Sequence, residues 1–342
     1  MKTIYSEDHR LHFPQAELCG GELVTPFERP SRVEHILGRL KTQGLTDIAA
    51  PDPVQMAPIE AIHKADYLKF LETGWDEWVA EGFKGEMIAA SIPARRMQMN
   101  RPPNNIDGKV GYYCLASETA ITGGTWGAAL SSAATVQTAQ RMVAGGARSA
   151  FALCRPPGHH ATADMFGGYC FLNNAAIAAE MFRKDAKKVA ILDIDFHHGN
   201  GTQDIFYDRG DVFFASLHGQ PEDAFPYFLG YADETGTGAG QGANANYPYA
   251  PGIGYDKWSE GLDDALARIK SFGAEALVVS LGVDAYKEDP ISFLKLESDD
   301  FTRAGARIAT AGLPTLFVME GGYAIEEIGV NAVNTLEGFE NG

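Results

Sequence analysis

KVAILDIDFHHGNG, residues 188–201, changes character halfway along. Lys188 to Ile194 is an apolar, β-branched run too short for a helix and bounded by loop residues, which predicts a strand buried on both faces. The chain then runs into DFHHGNG, residues 195–201, where metal-binding and titratable side chains crowd together. The same switch recurs three times. Ser149 to Cys154 runs into RPPGHHA (155–161), Ala276 to Leu281 into GVDAY (282–286), and Thr315 to Met319 into EGGY (320–323). Lys2 to Tyr5 and Val212 to Leu217 are two further strand-like runs. Helical patterns separate them at Arg32 to Thr42, Ala65 to Trp78, Glu118 to Val143, Asn173 to Lys184, Trp258 to Phe272 and Phe301 to Ala311. Strand and helix in alternation predict a parallel sheet with helices on both faces, and no linker divides the chain, so one α/β domain over 1–342 is expected.

Composition narrows the function classes. The chain has 342 residues, 45% hydrophobic and 21% charged, as an ordinary globular enzyme would. Lys plus Arg number 28 against 45 Asp plus Glu, a formal charge of −17. Such a surface repels phosphate backbones and attracts cationic ligands, so no nucleic-acid partner is expected. Cys19, Cys114, Cys154 and Cys170 lie far apart without a C-x-x-C pair, which argues against a thiolate zinc finger or a disulfide framework. MKTIYSEDHR at the start turns polar too early for a signal peptide, and no apolar run approaches membrane-spanning length. A cytoplasmic protein with no membrane partner is the expectation.

In an open α/β sheet, ligands bind beyond the carboxyl ends of the strands. Four such ends here deliver His, Asp or Tyr. Asp195 and His197 are two apart, so their side chains leave on one side, and Asp284 can join them from a neighbouring strand. Two carboxylates and one imidazole are three ligands with a position left open, the requirement of a catalytic zinc site. One strand end alone would more often carry Asp and His as backbone caps; several together favour a site. His159 and His160 follow Pro-Pro-Gly on a rigid, non-helical backbone, and Asp193 and Asn200 are available to fix their tautomers. Tyr323 follows two glycines that allow a close backbone approach, and its hydroxyl suits a developing oxyanion.

Together RPPGHHA, GGYCFLNNAAIAA (167–179), DIDFHHGNGTQ (193–203), SLGVDAY (280–286) and MEGGY (319–323) resemble the histone deacetylase family over most of the chain. GGELV near position 21 and an insertion at about 84–114 most resemble the bacterial acetylpolyamine amidohydrolases within it. The resemblance implies an arginase-like three-layer α/β/α fold around a central, mostly parallel eight-stranded sheet. It also implies metal-assisted hydrolysis of an N-acetyl amide, with Zn2+ or Fe2+ on Asp195, His197 and Asp284. His160 would be base and then acid, His159 its electrostatic partner, and Tyr323 the oxyanion donor. Gly168 would accept the substrate amide N–H, with Tyr169 and Phe225 flanking the acyl tunnel. K+ would take Asp193, Asp195, His197, Ser216 and Leu217 at one site, and Phe206, Arg209, Val212 and Ala243 at a second. An arginase-like binuclear site needs two more carboxylates where Gly199 and Tyr286 stand, so a single divalent ion is implied.

Two segments break the strand–helix rhythm, 84–114 and 219–254, and loops of such length are usually functional. The first mixes Arg95, Arg96 and Arg101 with paired prolines. It is expected to narrow the mouth of its own site or of a twofold partner's, and to mediate a homodimer. Asp107 and Glu118 would then meet the distal ammonium groups of acetylputrescine, acetylcadaverine, acetylspermidine or acetylspermine. Glu118 equally suits the first turn of the long helix by its dipole. The competing readings are a protein acetyl-lysine deacetylase with an open rim and a non-catalytic metal-binding protein. The second would have lost a His or the Tyr, and none is lost.

Overall fold

The computed structural model describes residues 1–342. The strands are β1 (Lys2–Ile4), β2 (Glu17–Cys19), β3 (Glu22–Val24), β4 (Ile48–Ala49), β5 (Ser149–Ala152), β6 (Val189–Asp193), β7 (Val212–Gly219), β8 (Asn244–Tyr249), β9 (Ala276–Leu281) and β10 (Thr315–Met319). Eight of them form one sheet in the order β4-β1-β5-β10-β9-β6-β7-β8, and every pairing in it is parallel. The remaining two, β2 and β3, form a separate antiparallel hairpin. Ten α-helices fill the connections: α1 (Ser31–Thr42), α2 (Met56–Glu60), α3 (Ala65–Ala80), α4 (Ile106–Tyr112), α5 (Thr125–Ala144), α6 (Asn174–Phe182), α7 (Asn200–Phe206), α8 (Tyr255–Phe272), α9 (Ser298–Ala309) and α10 (Ile328–Asn341).

Strand residues alternate between the two faces. Ile191 and Val278 join an apolar cluster with α3, α5 and α6 residues on one face. Leu192 and Val279 join a second with α1, α8, α9 and α10 residues on the other. Both faces are covered, so the strands read as unbroken apolar runs. Truncating such a residue, Ile191 for example, would cost about 2–5 kcal/mol in transfer and cavity terms. No helix is long and apolar enough to cross a membrane.

Register positions the site. Ala152 pairs with Val318, Val318 with Ser280, Ser280 with Asp193, and Asp193 with Ser216. One row therefore crosses five adjacent strands just before four of them end. The loops after β5, β10, β9 and β6 emerge side by side.

Three expectations are corrected. The long helix starts at Thr125 and not at Glu118, because Ile121 pairs with Met87 in an antiparallel bridge, N–H to carbonyl at 3.0 Å in both directions, which commits the preceding segment to extended backbone. Glu118 therefore lies in a loop, away from any helix dipole. The 219–254 segment is not all loop, since it contains β8. The 84–114 insertion holds α4, started by Asn105 capping the Asp107 N–H at 2.9 Å. It is anchored to α3 by Lys109–Glu77 at 2.5 Å and Tyr113–Asp66 at 3.2 Å.

Candidate active site

Asp195, His197 and Asp284 converge as expected, their ligating atoms all within 4.8 Å of one another and buried. His197 Nδ1 stands 2.9 Å from Asp284 Oδ2 and 3.4 Å from Asp195 Oδ1. Backbone holds the other oxygens: Phe196 N–H donates to Asp284 Oδ1 at 2.6 Å, and Gly321 N–H to Asp195 Oδ2 at 2.7 Å. Gly321 has to be glycine, because a Cβ would lie 2.5 Å from Asp195 Oδ2 and 2.6 Å from Asp284 Oδ2.

Neither carboxylate has a Lys or Arg partner. Burial and the neighbouring Asp195 push Asp284 up to about 8. Burial opposes ionisation of Asp195 too, but His159 and His197 hold it below the usual carboxylate range. Burial lowers His197, and the two aspartates outweigh it, lifting the imidazole to about 10. Two buried carboxylates competing for one imidazolium form an under-neutralised cluster. An O,O,N donor set of this size fits a divalent cation such as zinc or ferrous iron, whose binding releases those protons. Gly199 and the buried Tyr286 offer no carboxylate for a second ion.

The tandem histidines are brought beside this cluster, ring centroids 4.0 Å apart. His159 Nδ1–H donates to Asp193 Oδ2 at 3.0 Å, and His160 Nδ1–H to Asn200 Oδ1 at 2.6 Å. Asn200 is the first residue of α7 and is itself buried. With Nδ1 as donor, the His160 ring leaves Nε2 as its free acceptor. Tyr323 follows β10, its ring 6.5 Å from His197 and 5.7 Å from Tyr169. Its N–H is held by Asp289 Oδ2 at 2.7 Å, and the Arg32 guanidinium lies 4.9 Å from the ring centre. Burial pushes its hydroxyl well above the ordinary phenol range, so it stays a proton donor.

A cavity of about 360 Å³ descends to these groups, in the size range of small-ligand sites. Phe225 forms one wall, its ring 5.0 Å from His160 and nearly perpendicular to it. Tyr169 forms another. Gly168 and Tyr169 both adopt left-handed backbone, φ 57° and 67°, and a Cβ on Gly168 would stand 2.2 Å from His160 Cδ2. Glu118 reaches the cavity from its loop, Oε1 accepting the Gly168 N–H at 2.9 Å.

Sequence reasoning missed Glu17, which lines the same cavity from the β2–β3 hairpin. It accepts from Tyr169 Oη at 3.1 Å and from the Phe27 N–H at 3.1 Å, and burial lifts it to about 7. The signal available was the Gly20-Gly21 turn between two short alternating runs. Asp107 sits apart from this cavity. Neither it nor any other residue of 84–114 lines the cavity of its own chain, because α4 is tied to α3 instead.

Asp193, Asp195, His197, Ser216 and Leu217 are buried at the β6–β7 end, with Asp193 opposite Ser216. Phe206, Arg209, Val212 and Ala243 fall at the junction of α7, β7 and the approach to β8. There the Arg209 guanidinium is committed to Asp211 and Glu180 at 2.8 Å each, which leaves backbone carbonyls as the oxygens on offer.

A parallel sheet with a candidate metal site and paired histidines at its carboxyl edge fits a metal-dependent amide hydrolase. The histone deacetylase domain model matches residues 26–339, and the chain belongs to the histone deacetylase family, whose amidohydrolases are metal-dependent. An acetylpolyamine amidohydrolase of Mycoplana ramosa is 59% identical over 339 residues, 99% of either chain. Acetylpolyamine amidohydrolase 1 of Pseudomonas aeruginosa is 56% identical over 342 residues, again 99% of each. The crystal structure of an acetylpolyamine aminohydrolase from Burkholderia pseudomallei superposes with a TM-score of 0.94 at 40% identity, covering 99% of this chain and 98% of that one.

Proposed function

We propose that the chain is a zinc-dependent hydrolase, also served by ferrous iron, that deacetylates N-acetylated polyamines to acetate and free amine. The observation that carries the reading is the pair of carboxylates, Glu17 and Glu118, lining an aromatic cavity that reaches His197 of the Asp195–His197–Asp284 cluster. An acetyl group at the floor leaves a thin alkyl chain between Phe225 and Tyr169, with its ammonium toward the carboxylates. The full-length likeness to two acetylpolyamine amidohydrolases supports the same substrate class.

When bound, the ion supplies Lewis-acid polarisation of the acetyl carbonyl and acidification of a water. The chain's own groups do the rest. His160 Nε2, neutral and free, takes the proton of the attacking water and returns it to the departing amine nitrogen. The Tyr323 hydroxyl donates to the oxygen as charge develops on it. Gly168, its N–H committed to Glu118, turns its carbonyl to the substrate amide N–H. Asp193 keeps His159 oriented as a fixed positive neighbour. Potassium, held by Asp193, Asp195, His197, Ser216 and Leu217, would supply positive charge to these buried carboxylates.

The second reading, a protein acetyl-lysine deacetylase, draws on the mouth of a single chain, which no insertion residue narrows. The polyamine reading assigns that task to the 84–114 segment of a twofold partner, which would bring Asp107 to the rim. A panel of zinc-loaded enzyme on acetylputrescine, acetylcadaverine, acetylspermidine, acetylspermine and acetyllysine peptides separates them. Higher kcat/KM on the polyamines is expected. Equal or better turnover of folded acetylated proteins would reject the polyamine reading.

A further inference from the structure

Glu320 is fully buried at the end of β10, three residues before Tyr323, and takes no part in the chemistry above. A carboxylate there loses its hydration and needs strong partners to remain. It has them. Oε2 accepts the Gly158 N–H at 2.7 Å and the His159 N–H at 3.2 Å, and Oε1 accepts the Ser280 hydroxyl at 3.3 Å. The two amides are the first donors after Pro156 and Pro157, which have none, and neither has any other partner. The backbone of Glu320 is fixed as well: its carbonyl accepts from Arg32 Nη2 at 2.5 Å, and the next residue, Gly321, binds Asp195. The tandem-histidine turn is closely packed on its other side, since a Cβ on Gly158 would lie 2.5 Å from the Asn174 nitrogen. One side chain thus ties the turn bearing both histidines to the loop bearing Tyr323.

We propose that Glu320 is a positioning residue of the reaction, its carboxylate setting the place of His159 and His160 by holding both N–H groups of their turn. It touches neither substrate nor metal and acts through the histidines. The inference rests on the reading of His160 as the general base.

Reach and charge can be separated with two conservative variants. Glu320→Asp keeps the charge but withdraws the carboxylate by one methylene. Glu320→Gln keeps a carbonyl oxygen for both N–H groups and offers its amide to the Ser280 hydroxyl. A shift of the histidines by about 1 Å can lower turnover on the order of 100-fold. On N-acetylputrescine, Glu320→Asp should lose at least about tenfold in kcat with KM within about threefold, and with zinc content and Tm near wild type. Glu320→Gln should recover most of that loss. Both variants within about threefold of wild-type kcat would overturn the proposal, as would loss of bound zinc in Glu320→Asp. So would equal impairment of the two, or an Asp variant better than the Gln variant, since charge and not reach would then be at work. His160→Ala run alongside tests the underlying reading separately: retained turnover there removes the base assignment, whatever Glu320 does.

Discussion

His159 and His160 lie 4.0 Å apart, ring centre to ring centre, and ionise in opposite directions. Burial lowers both. In His159 the charges of Asp195 and Asp193 outweigh it and lift the imidazole to about 10. In His160 the neighbouring His159 and His197 charges add to burial, and the Asn200 amide offsets little of it, so the ring falls well below its ordinary value. At neutral pH one ring is a cation and the other a free base, a division set by the two aspartates beside His159 and by burial and the positive neighbours around His160.

His160→Ala should therefore lower kcat far more than it changes KM, because its proton transfers occur only along the reaction path. Tyr323→Phe should cost about 2.7–4 kcal/mol of transition-state stabilisation, the scale of one lost oxyanion donor. Steady-state kinetics on N-acetylputrescine measure both, and near-native turnover in either variant removes that residue from the mechanism.

Elemental analysis of active protein should find one divalent ion per chain, with activity lost on chelation and restored by zinc or ferrous iron. Gly321→Ala should weaken zinc binding by about 10- to 100-fold, since its Cβ would crowd both metal-facing carboxylates. Competition with a chelator reads the affinity directly. Wild-type affinity in that variant would mean the two aspartates are not the ligands, and two tightly held ions would exclude a mononuclear centre.

Glu17 should give substrate binding a pH dependence. Its folded pKa is raised, to about 7, so its proton stabilises the fold fully below the ordinary carboxylate range. That contribution is lost as pH rises through about 7, where the carboxylate forms. The difference in Tm between wild type and Glu17→Gln should shift against wild type over this interval. Over the same interval the wild-type preference for N-acetylputrescine over a neutral acetamide of equal length should rise. A flat ratio in wild type, or an unchanged rise in Glu17→Gln, would detach Glu17 from ammonium recognition.

Glu118→Gln should weaken long polyamines more than a neutral acetamide. The intact protein should sediment as a dimer, and shortening residues 84–106 should yield a monomer with raised relative activity on acetyllysine peptides. A dimer that survives the deletion with unchanged selectivity would show that the insertion is not a gate.

The bounds of β9 and β10 were legible in full, because each is a run of apolar residues buried on both faces. β8 was not. Its Asn244 and Asn246 are buried and bonded to Gln203, and a strand that buries amides at an edge shows neither an apolar run nor alternation. The floor of the site was legible because strand ends are marked by a change of residue type. Glu17 and the true start of α5 were not, since both depend on which loops meet in space. The same is true of Asp107: its sequence position relative to Glu118 says nothing of the lysine that turns α4 toward α3.

The β2–β3 hairpin pairs with no strand of the main sheet, yet Glu17, Leu18, Cys19 and Gly20 on it form one side of the cavity. Hydrolysis is built into the sheet, where an altered register would displace every group at once. Under the proposed function, discrimination among amines would be borne partly by a hairpin that lies outside that sheet. The two properties can thus change independently, and a hairpin transplanted from a relative should carry its substrate preference with it while leaving the rate-determining chemistry untouched.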